Sequence, residues 1–297
     1  MTVPTDGDTS PKLGSAIRRL WGEGQRAPVL PLLIVVVFAA CAIFAPFLAP
    51  HSPIEGELAK RYLPPLGIEG ADPSYLLGTD TQGRDILSRV IYGARITLFV
   101  SVLGILLTST LGTLVGLLAG FLGGWVDIVA MRLVDVGLSI PGMLIAVLLA
   151  SVFGASTTNV ILVIIVVLWP DYARLVRGET LALKQQDYVA LARVAGCSNL
   201  TIMFRHILPN LMATVLVLVS LHAGLVIVLE ASLSFLGVGV PPPNSSWGFL
   251  ISEGRGVLES AWWVSIVPGL AIVLTVISLN MLGDWMRDRL DPKLRQL

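Results

Sequence analysis

The sequence predicts an all-α protein that crosses a membrane six times. Of its 297 residues, 55% are hydrophobic and only 13% are charged, whereas a soluble globular domain carries about a quarter charged residues. A membrane-spanning helix needs about 20 consecutive apolar residues. Uncharged runs of that length or longer occupy residues 27–50, 96–126, 136–170, 207–229 and 260–283.

The third of these runs is too long for one helix. The polar and glycine-containing segment 154–159 interrupts it and divides it into two spans. The first of the two is expected to begin near Met131 and the second to end near Tyr172. Counting the divided run as two spans gives six transmembrane helices.

The distribution of lysine and arginine predicts the orientation, because cytoplasmic loops retain positive charge. With the amino terminus inside, the cytosolic segments carry fourteen of the twenty basic residues: Lys12, Arg18, Arg19, Arg26, Arg132, Arg174, Arg177, Lys184, Arg193, Arg205, Arg287, Arg289, Lys293 and Arg295. The other six are Lys60, Arg61, Arg84, Arg89, Arg95 and Arg255. Both termini and the segment 187–209 are therefore expected in the cytosol.

This topology divides the chain into five parts. They are a cytosolic tail (1–28), a first transmembrane helix (29–50), an extracytoplasmic loop with an amphipathic helix (51–95), a transmembrane core (96–285) and a cytosolic tail (286–297). The core includes a cytosolic loop over residues 173–209. The first apolar run could also be read as a secretory signal, but its long polar lead favours an uncleaved anchor.

The segment 187–209 is charged and punctuated by glycine. Asp187 is positioned to cap a short helix over residues 188–195, and Gly196 to end that helix in the left-handed conformation. Pro209 marks the entry into the next apolar run, where a missing N–H group costs least. The pattern predicts a short helix held outside the membrane as a docking surface.

Two patterns accompany the second span. Thr79 and Gln82 have the spacing of a capping box, and Asp85 with Arg89 forms an i,i+4 pair, so an amphipathic helix is expected to enter the span. Small residues then recur at every fourth position, which predicts a packing ridge: Gly104, Thr108, Gly112, Gly116, Gly120 and Gly124. Near the end of the fifth span and beyond it, three tryptophans are expected at the outer membrane interface: Trp247, Trp262 and Trp263.

Ionisable residues inside the spans are rare and costly in lipid. Glu230, with His222 two turns away, is the best candidate for a polar group that lines a translocation path, and a structural hydrogen bond is the alternative. The three histidines lie in different regions, so no metal site is expected. Cys41 and Cys197 lie in a span and in the cytosolic loop, so no disulfide is expected.

Several functions are disfavoured by composition. A net charge of zero argues against a nucleic-acid partner, because phosphate binding needs a basic face. No Gly-x-x-x-x-Gly-Lys-Ser/Thr motif is present, so any ATP that drives this protein must be hydrolysed by another chain. The sequence shows no pairing of a nucleophile with a base, so nothing in it indicates an enzyme.

These motifs together resemble the dipeptide/oligopeptide/nickel branch of ABC importer permeases. The similarity extends over residues 77–296 and includes Leu-Gly-Thr-Asp-x-x-Gly-Arg-Asp at 77–85, the loop at 187–209 and Leu-Glu-Ala-Ser-Leu-Ser-Phe-Leu-Gly at 229–237. The chain departs from the family where Glu-Ala-Ala is usual, because Ala190, Leu191 and Ala192 stand there. Asp187 is the nearest residue that could replace the missing acid.

The resemblance implies a type I ABC importer permease in the bacterial cytoplasmic membrane that moves short peptides by alternating access. It implies a second homologous permease, two cytosolic ATPases that bind ATP and Mg, and an extracytoplasmic substrate-binding protein, with no cofactor on this chain. Tyr188 and Leu191 would be apolar anchors on the ATPase and Arg193 a polar partner. The full set of implied coupling residues is Asp187, Tyr188, Ala190, Leu191, Ala192, Arg193, Gly196 and Pro209.

The sequence does not identify the cargo. Glutathione, nickel chelates, opines and short sugars are alternatives to dipeptides and oligopeptides within the same class. An ion-coupled secondary transporter is the alternative from a different class, but such carriers usually need ionisable groups near the middle of the membrane. This chain has few of them.

Overall fold

The computed structural model describes residues 28–290, and within them it is helical, with no strand. Of the two expected cytosolic tails, only residue 28 of the first and residues 286–290 of the second are among the described residues. The helices are α1 Val29–Leu48, α2 Ile86–Leu122, α3 Gly124–Ser139, α4 Gly142–Phe153, α5 Thr157–Leu183, α6 Asp187–Val194, α7 Asn199–Thr201, α8 Leu208–Phe235, α9 Trp247–Gly254 and α10 Trp263–Leu290. The predicted all-α class is confirmed.

Five helical segments are long and apolar enough to cross a membrane: α1, α2, α5, the continuous stretch Asn199–Phe235 and α10. Helices α3 and α4 pass the same test only as a pair, and they meet at an angle of 91°. If this bent pair makes one crossing, the expected total of six is reached.

The third span was predicted as a single helix that starts near Met131, and both parts of this prediction were wrong. It begins earlier, at Gly124, and is broken at Pro141, which has no N–H group and holds Ile140 in an extended conformation (φ −102°, ψ 128°). The break expected at 154–159 is present. There Gly154 has a φ of +78° and the Ser156 hydroxyl accepts a hydrogen bond from the Asn159 backbone N–H.

Helix α5 continues to Leu183, well past the expected end near Tyr172. Its last turns are polar, and two of its arginines are paired with acids on α3: Arg174 with Asp135 at 2.6 Å and Arg177 with Asp127 at 2.5 Å. The apolar run therefore marked the end of the hydrophobic segment but not the end of the helix.

The glycine ridge on α2 packs against α5, as its spacing predicted. A Cβ atom at Gly112 would lie 2.4 Å from Tyr172 Cβ, and one at Gly116 would lie 2.5 Å from the Ala173 carbonyl oxygen. The two helices run parallel, with contacts that advance along both chains as far as Gly120. Gly124 is not part of the ridge, because α2 has already ended at Leu122.

The two ends of the bundle differ. We call the end that carries residues 49–85 and 236–262 the loop end, and the end that carries residues 184–198 the helix end. At the loop end the segment before α2 is irregular apart from one 3-10 turn, Leu58–Lys60, as its prolines predicted. No separate amphipathic helix precedes the span, since α2 begins at Ile86 and continues directly into it.

The expected cap and ion pair at the start of α2 were wrong in detail. Asp85 is itself the N-cap, accepting a hydrogen bond from the Ser88 backbone N–H at 2.9 Å. Arg89 pairs with Asp80 and Glu253 instead of Asp85. Thr79 does not cap a helix, because its hydroxyl donates to the Lys60 carbonyl oxygen.

Two of the three tryptophans expected at the membrane interface are buried. The indole N–H of Trp247 donates to the Val90 carbonyl oxygen at 2.9 Å, and that of Trp263 donates to the Thr79 carbonyl oxygen at 3.1 Å. Only Trp262 among the three is exposed. These bonds attach α9 to α2 and α10 to the segment before α2, because buried indole N–H groups seek an acceptor.

The orientation of the bundle stays a prediction that cysteine labelling tests. In a Cys41→Ala background, we expect the native Cys197 to react with a membrane-impermeant thiol reagent only in inverted vesicles. Ser74, which is exposed at the loop end, carries the complementary probe: Ser74→Cys combined with Cys197→Ser should react only in intact spheroplasts. Labelling of the Ser74→Cys variant from the cytosolic side would contradict the fourteen-to-six distribution of basic residues as a guide to orientation.

Candidate functional site

Helix α6, Asp187–Val194, lies at the helix end outside the long spans. The proposed capping role of Asp187 was wrong: the N-cap is Gln186, which makes no side-chain cap hydrogen bond, and Asp187 is the first helical residue. Its carboxylate is exposed and makes no salt bridge with any residue in the range 28–290. An acid in the first turn still stabilises a helix through the macrodipole.

The end of α6 forms a Schellman motif around Gly196. The Cys197 N–H donates to the Ala192 carbonyl oxygen and the Gly196 N–H to the Arg193 carbonyl oxygen, both at 3.0 Å. Gly196 has a φ of +79°, so the predicted left-handed residue is confirmed. This arrangement sets the direction in which the chain leaves the helix.

One face of α6 is packed into the bundle. Val189 and Ala192 are buried in a hydrophobic cluster with residues from three other elements. These neighbours are Leu117 and Phe121 of α2, Val176 of α5, and Ile202, Met203 and Ile207 at the start of the next span. The main contacts of α6 are with the segment 202–207, and that segment belongs to the same cluster as the residues of α2 and α5.

The opposite face of α6 is exposed and apolar. Leu191 is 68% exposed and Val194 is 87% exposed, with Tyr188 at 37% one turn before them. Ala190 and Arg193 are exposed between them. Large apolar side chains grouped on a surface indicate an interaction site when they lie outside lipid. The sequence reasoning named Tyr188 and Leu191 but missed Val194, although its i,i+3 spacing from Leu191 carries the signal.

Pro209 lies in the first turn of α8, at the start of the apolar run as predicted, but the helical stretch that continues into α8 already begins at Asn199. The missing N–H group of Pro209 is accommodated by a π-helical turn, Ile202–Ile207, in which the Leu208 N–H donates to the Met203 carbonyl oxygen. Asn210 donates its side-chain amide to the His206 carbonyl oxygen at 2.6 Å. The turn also packs against α6.

The two residues predicted to line a path lie in separate environments. Glu230 is fully buried, and its carboxylate accepts hydrogen bonds from Ser234 at 2.8 Å and Thr97 at 3.3 Å. His222 lies nearer the helix end, with its Nε2 4.0 Å from an Asp171 carboxylate oxygen and its ring edge-on to Tyr172. The structure does not bring Glu230 and His222 into a common cluster.

A buried ion network at the loop end was not foreseen from the sequence. Arg84 contacts Asp80 at 2.7 Å and Glu253 at 2.8 Å, and Arg89 contacts the same two acids. Arg89 is only 2% exposed. The network joins the loop before α2 to α9, which is more than 150 residues away in the sequence, and no local pattern reports such a pairing.

Chemistry at a metal centre has no support in the part of the chain that the structure describes. No group of three or more metal-ligating side chains is found between residues 28 and 290. Both cysteines are unpaired and lie in separate parts of the bundle. The features that remain are a two-faced helix at one end, a closely packed bundle and a cross-linked loop end.

Comparison with known proteins gives two family matches. Residues 112–296 match the model for the binding-protein-dependent transport system inner membrane component, and residues 25–65 match the N-terminal transmembrane domain of oligopeptide transport permease C. The first match extends over more than half of the chain and the second contains α1.

Individual relatives align over almost the whole chain. The dipeptide transport system permease protein DppC of Haemophilus influenzae is 41% identical over 272 residues, which is 92% of each chain. The di/tripeptide transport system permease protein DppC of Pseudomonas aeruginosa is 40% identical over 89% of this chain and 87% of its own. The glutathione transport system permease protein GsiD of Pectobacterium atrosepticum is 41% identical over 94% and 93%.

Proposed function

Because this chain belongs to the family of binding-protein-dependent transport system inner membrane components, we propose that it carries dipeptides and other short peptides through the membrane as part of an ATP-driven importer. The chain is a multi-pass protein of the cytoplasmic membrane and a permease component of a multi-subunit ABC importer. It is not an enzyme, and ATP hydrolysis lies in partner subunits. The resemblance to the dipeptide and oligopeptide permeases is confirmed, and the ion-coupled carrier is no longer a candidate.

Peptide cargo is supported by the names of the relatives. Two of the three relatives described above are named for dipeptides or tripeptides, and the third for glutathione, which is itself a tripeptide. We therefore favour a peptide backbone as the common recognition element. Nickel chelates, opines and short sugars have no support among these three names.

The proposed partners are a second homologous permease, two cytosolic ATPases and an extracytoplasmic substrate-binding protein. ATP and Mg would bind to the ATPases, with no cofactor on this chain. We call α6 the coupling helix in this scheme, and its exposed face formed by Tyr188, Leu191 and Val194 would enter a groove on one ATPase. The observation that carries this proposal is the two-faced helix, packed on one side and apolar and exposed on the other.

The mechanism follows from that packing. Closure of the ATPase pair on ATP would move the coupling helix, and its buried face, which includes Val189 and Ala192, would transmit the movement to the segment 202–207 and through the shared cluster to the long helices. ATP shifts the transporter toward the outward-facing state only by the difference in its affinity for the two states. Hydrolysis then returns the subunits to the inward-facing state.

Asp187 is proposed to replace the acid that the family usually has at the position of Ala190. The two residues are one turn apart, so they lie on the same face of the coupling helix. The Asp187 carboxylate is exposed and has no salt-bridge partner between residues 28 and 290, which leaves it available for a basic residue of the ATPase.

Leu191→Asp tests the docking proposal. The variant should lower peptide uptake at least tenfold in proteoliposomes that contain the whole importer, because a carboxylate at the centre of an apolar contact is left desolvated and unpaired. Co-purification of the ATPases should fall in parallel. Leu258→Asp is the matched control, since Leu258 is an exposed leucine at the loop end. Equal uptake by the two variants would contradict docking through this face.

Glu230→Gln tests whether cargo contacts the interior of the bundle. Glu230 is fully buried, so contact with cargo requires that its hydrogen bond to Thr97 on α2 opens during transport. In that case the variant should weaken uptake of free peptides several-fold more than uptake of amino-acetylated peptides, because it removes the charge that pairs with the ammonium group. An equal effect on both peptides would leave Glu230 as a structural hydrogen-bonding residue only.

A further inference from the structure

An apolar groove of about 720 Å³ runs between α1, α2, α8 and α10. Its walls are formed mainly by aliphatic and aromatic side chains, among them Phe38, Ile43, Leu98, Phe99, Val102 and Leu106. Among residues 28–290, Arg95 is the single charged residue that lines it. The groove is therefore apolar along its length and cationic at one place.

A smaller pocket of about 260 Å³ lies beside the groove at the loop end. Its polar lining consists of Arg89, Tyr92, Arg95, Asn244 and Ser245. Arg95 lines both cavities, so the polar pocket and the apolar groove meet at its side chain. Together they form one amphiphilic site.

The net charge of this site comes from Arg95. Arg95 is exposed and makes no salt bridge with any acid within residues 28–290. Arg89 is buried and pairs with Asp80 and Glu253, yet its Nε donor has no hydrogen-bond partner. Because that Nε is enclosed and the guanidinium is neutralised by two acids, the group in this pocket that is available to an anion is Arg95.

The position of the site along α2 matches the boundary of the membrane. Arg95 directly precedes the uncharged run 96–126, which places it where the hydrocarbon layer begins. From Leu98 to Leu106 the groove follows α2 for about 12 Å, at about 1.5 Å per residue. A ligand that fills both cavities must therefore have an anionic group at headgroup depth and an apolar chain below it.

We propose that this site binds an anionic phospholipid. One acyl chain lies in the groove against Leu98, Phe99 and Val102, and the phosphate lies in the polar pocket against Arg95. The lipid would fill the space between α1 and the rest of the bundle. This inference does not depend on the cargo, so its failure would leave peptide transport untouched.

The test uses the complete importer, equilibrated with vesicles of equal parts phosphatidylglycerol and phosphatidylcholine, extracted in mild detergent and analysed for retained lipid by native mass spectrometry. We expect one phosphatidylglycerol to remain on this subunit and Arg95→Gln to reduce its retention about fivefold, the effect of one basic residue near an anionic surface. Arg61→Gln, a change of an exposed arginine that lines neither cavity, should retain lipid as the parent does.

A second variant tests the acyl-chain part of the site. Ala42 lines the groove, so Ala42→Trp should lower retention of phosphatidylglycerol while Arg95 stays in place. Retention unchanged in Arg95→Gln would overturn the proposal. Displacement of the lipid by free glycerol 1-phosphate at equal concentration would also overturn it, as would a photo-cross-link from a benzophenone at Phe99 to the second permease instead of to lipid.

Discussion

Replacing Arg89 with methionine is expected to destabilise the protein by about 3–5 kcal/mol, the usual cost of removing one partner from a buried ion pair. Arg84 alone would then face both Asp80 and Glu253, so the network would keep one uncompensated negative charge. The measurement is the midpoint of thermal unfolding of the purified importer in detergent. Arg61→Met, a change of an exposed arginine at the same end, is the control.

The geometry of the network makes a finer comparison possible. Arg89→Lys keeps the charge but loses the planar guanidinium that reaches two acids and Ser245 at once. The midpoint of thermal unfolding of Arg89→Lys should therefore lie between those of the parent and of Arg89→Met. Unfolding of Arg89→Met at the same temperature as Arg61→Met would show that the network contributes nothing to stability.

The second large effect is expected for Gly196→Val, which should impair the coupling of ATP hydrolysis to peptide uptake and leave folding intact. A Cβ at this position meets no atom within 4 Å, so the cost of Gly196→Val is the left-handed backbone alone, roughly 1–2 kcal/mol. In the variant, this strain is relieved if the C-terminal turn of α6 rearranges, which changes the direction of the helix. ATP hydrolysis by the assembled importer should then continue while peptide uptake falls at least tenfold.

Two control variants separate the backbone effect from the added side chain. Gly196→Asn should preserve most uptake, because asparagine visits the left-handed region more readily than a β-branched residue does. Gly256→Val adds the same side chain at a loop-end glycine that also has no close neighbours and no left-handed φ. Normal coupling in Gly196→Val, measured as uptake per ATP hydrolysed in proteoliposomes, would mean that the end of α6 does not control coupling.

Features that depend on local patterns were predictable from the sequence. The left-handed Gly196 and the glycine ridge of α2 follow from the backbone freedom of glycine and from the helical repeat, and both are present. The exposed face of α6 was partly predictable, since Leu191 and Tyr188 were named but Val194 was not. That these residues act in coupling stays a proposal.

Features that depend on long-range pairing were not predictable. Arg89 was assigned to Asp85 because the two have helical spacing, but Asp85 is occupied as the cap of α2 and Arg89 reaches Glu253. Trp247 was placed at the membrane interface because tryptophan is common there, yet its indole finds an acceptor at Val90. Local spacing and average composition cannot report a partner that lies more than 150 residues away.

The π-helical turn that packs against α6 has a mechanical consequence. The helix from Asn199 to Phe235 is continuous except for this turn. Because Pro209 donates no backbone hydrogen bond there, the helix bends more easily at the turn than elsewhere, and we call the part beyond it the rod. From Leu208 to Phe235 the rod is about 40 Å long at about 1.5 Å per residue. On that length, a tilt of about 10° at the turn would carry the far end through about 7 Å. In the proposed coupling scheme, a small movement at the turn would therefore become a larger movement at the far end of α8.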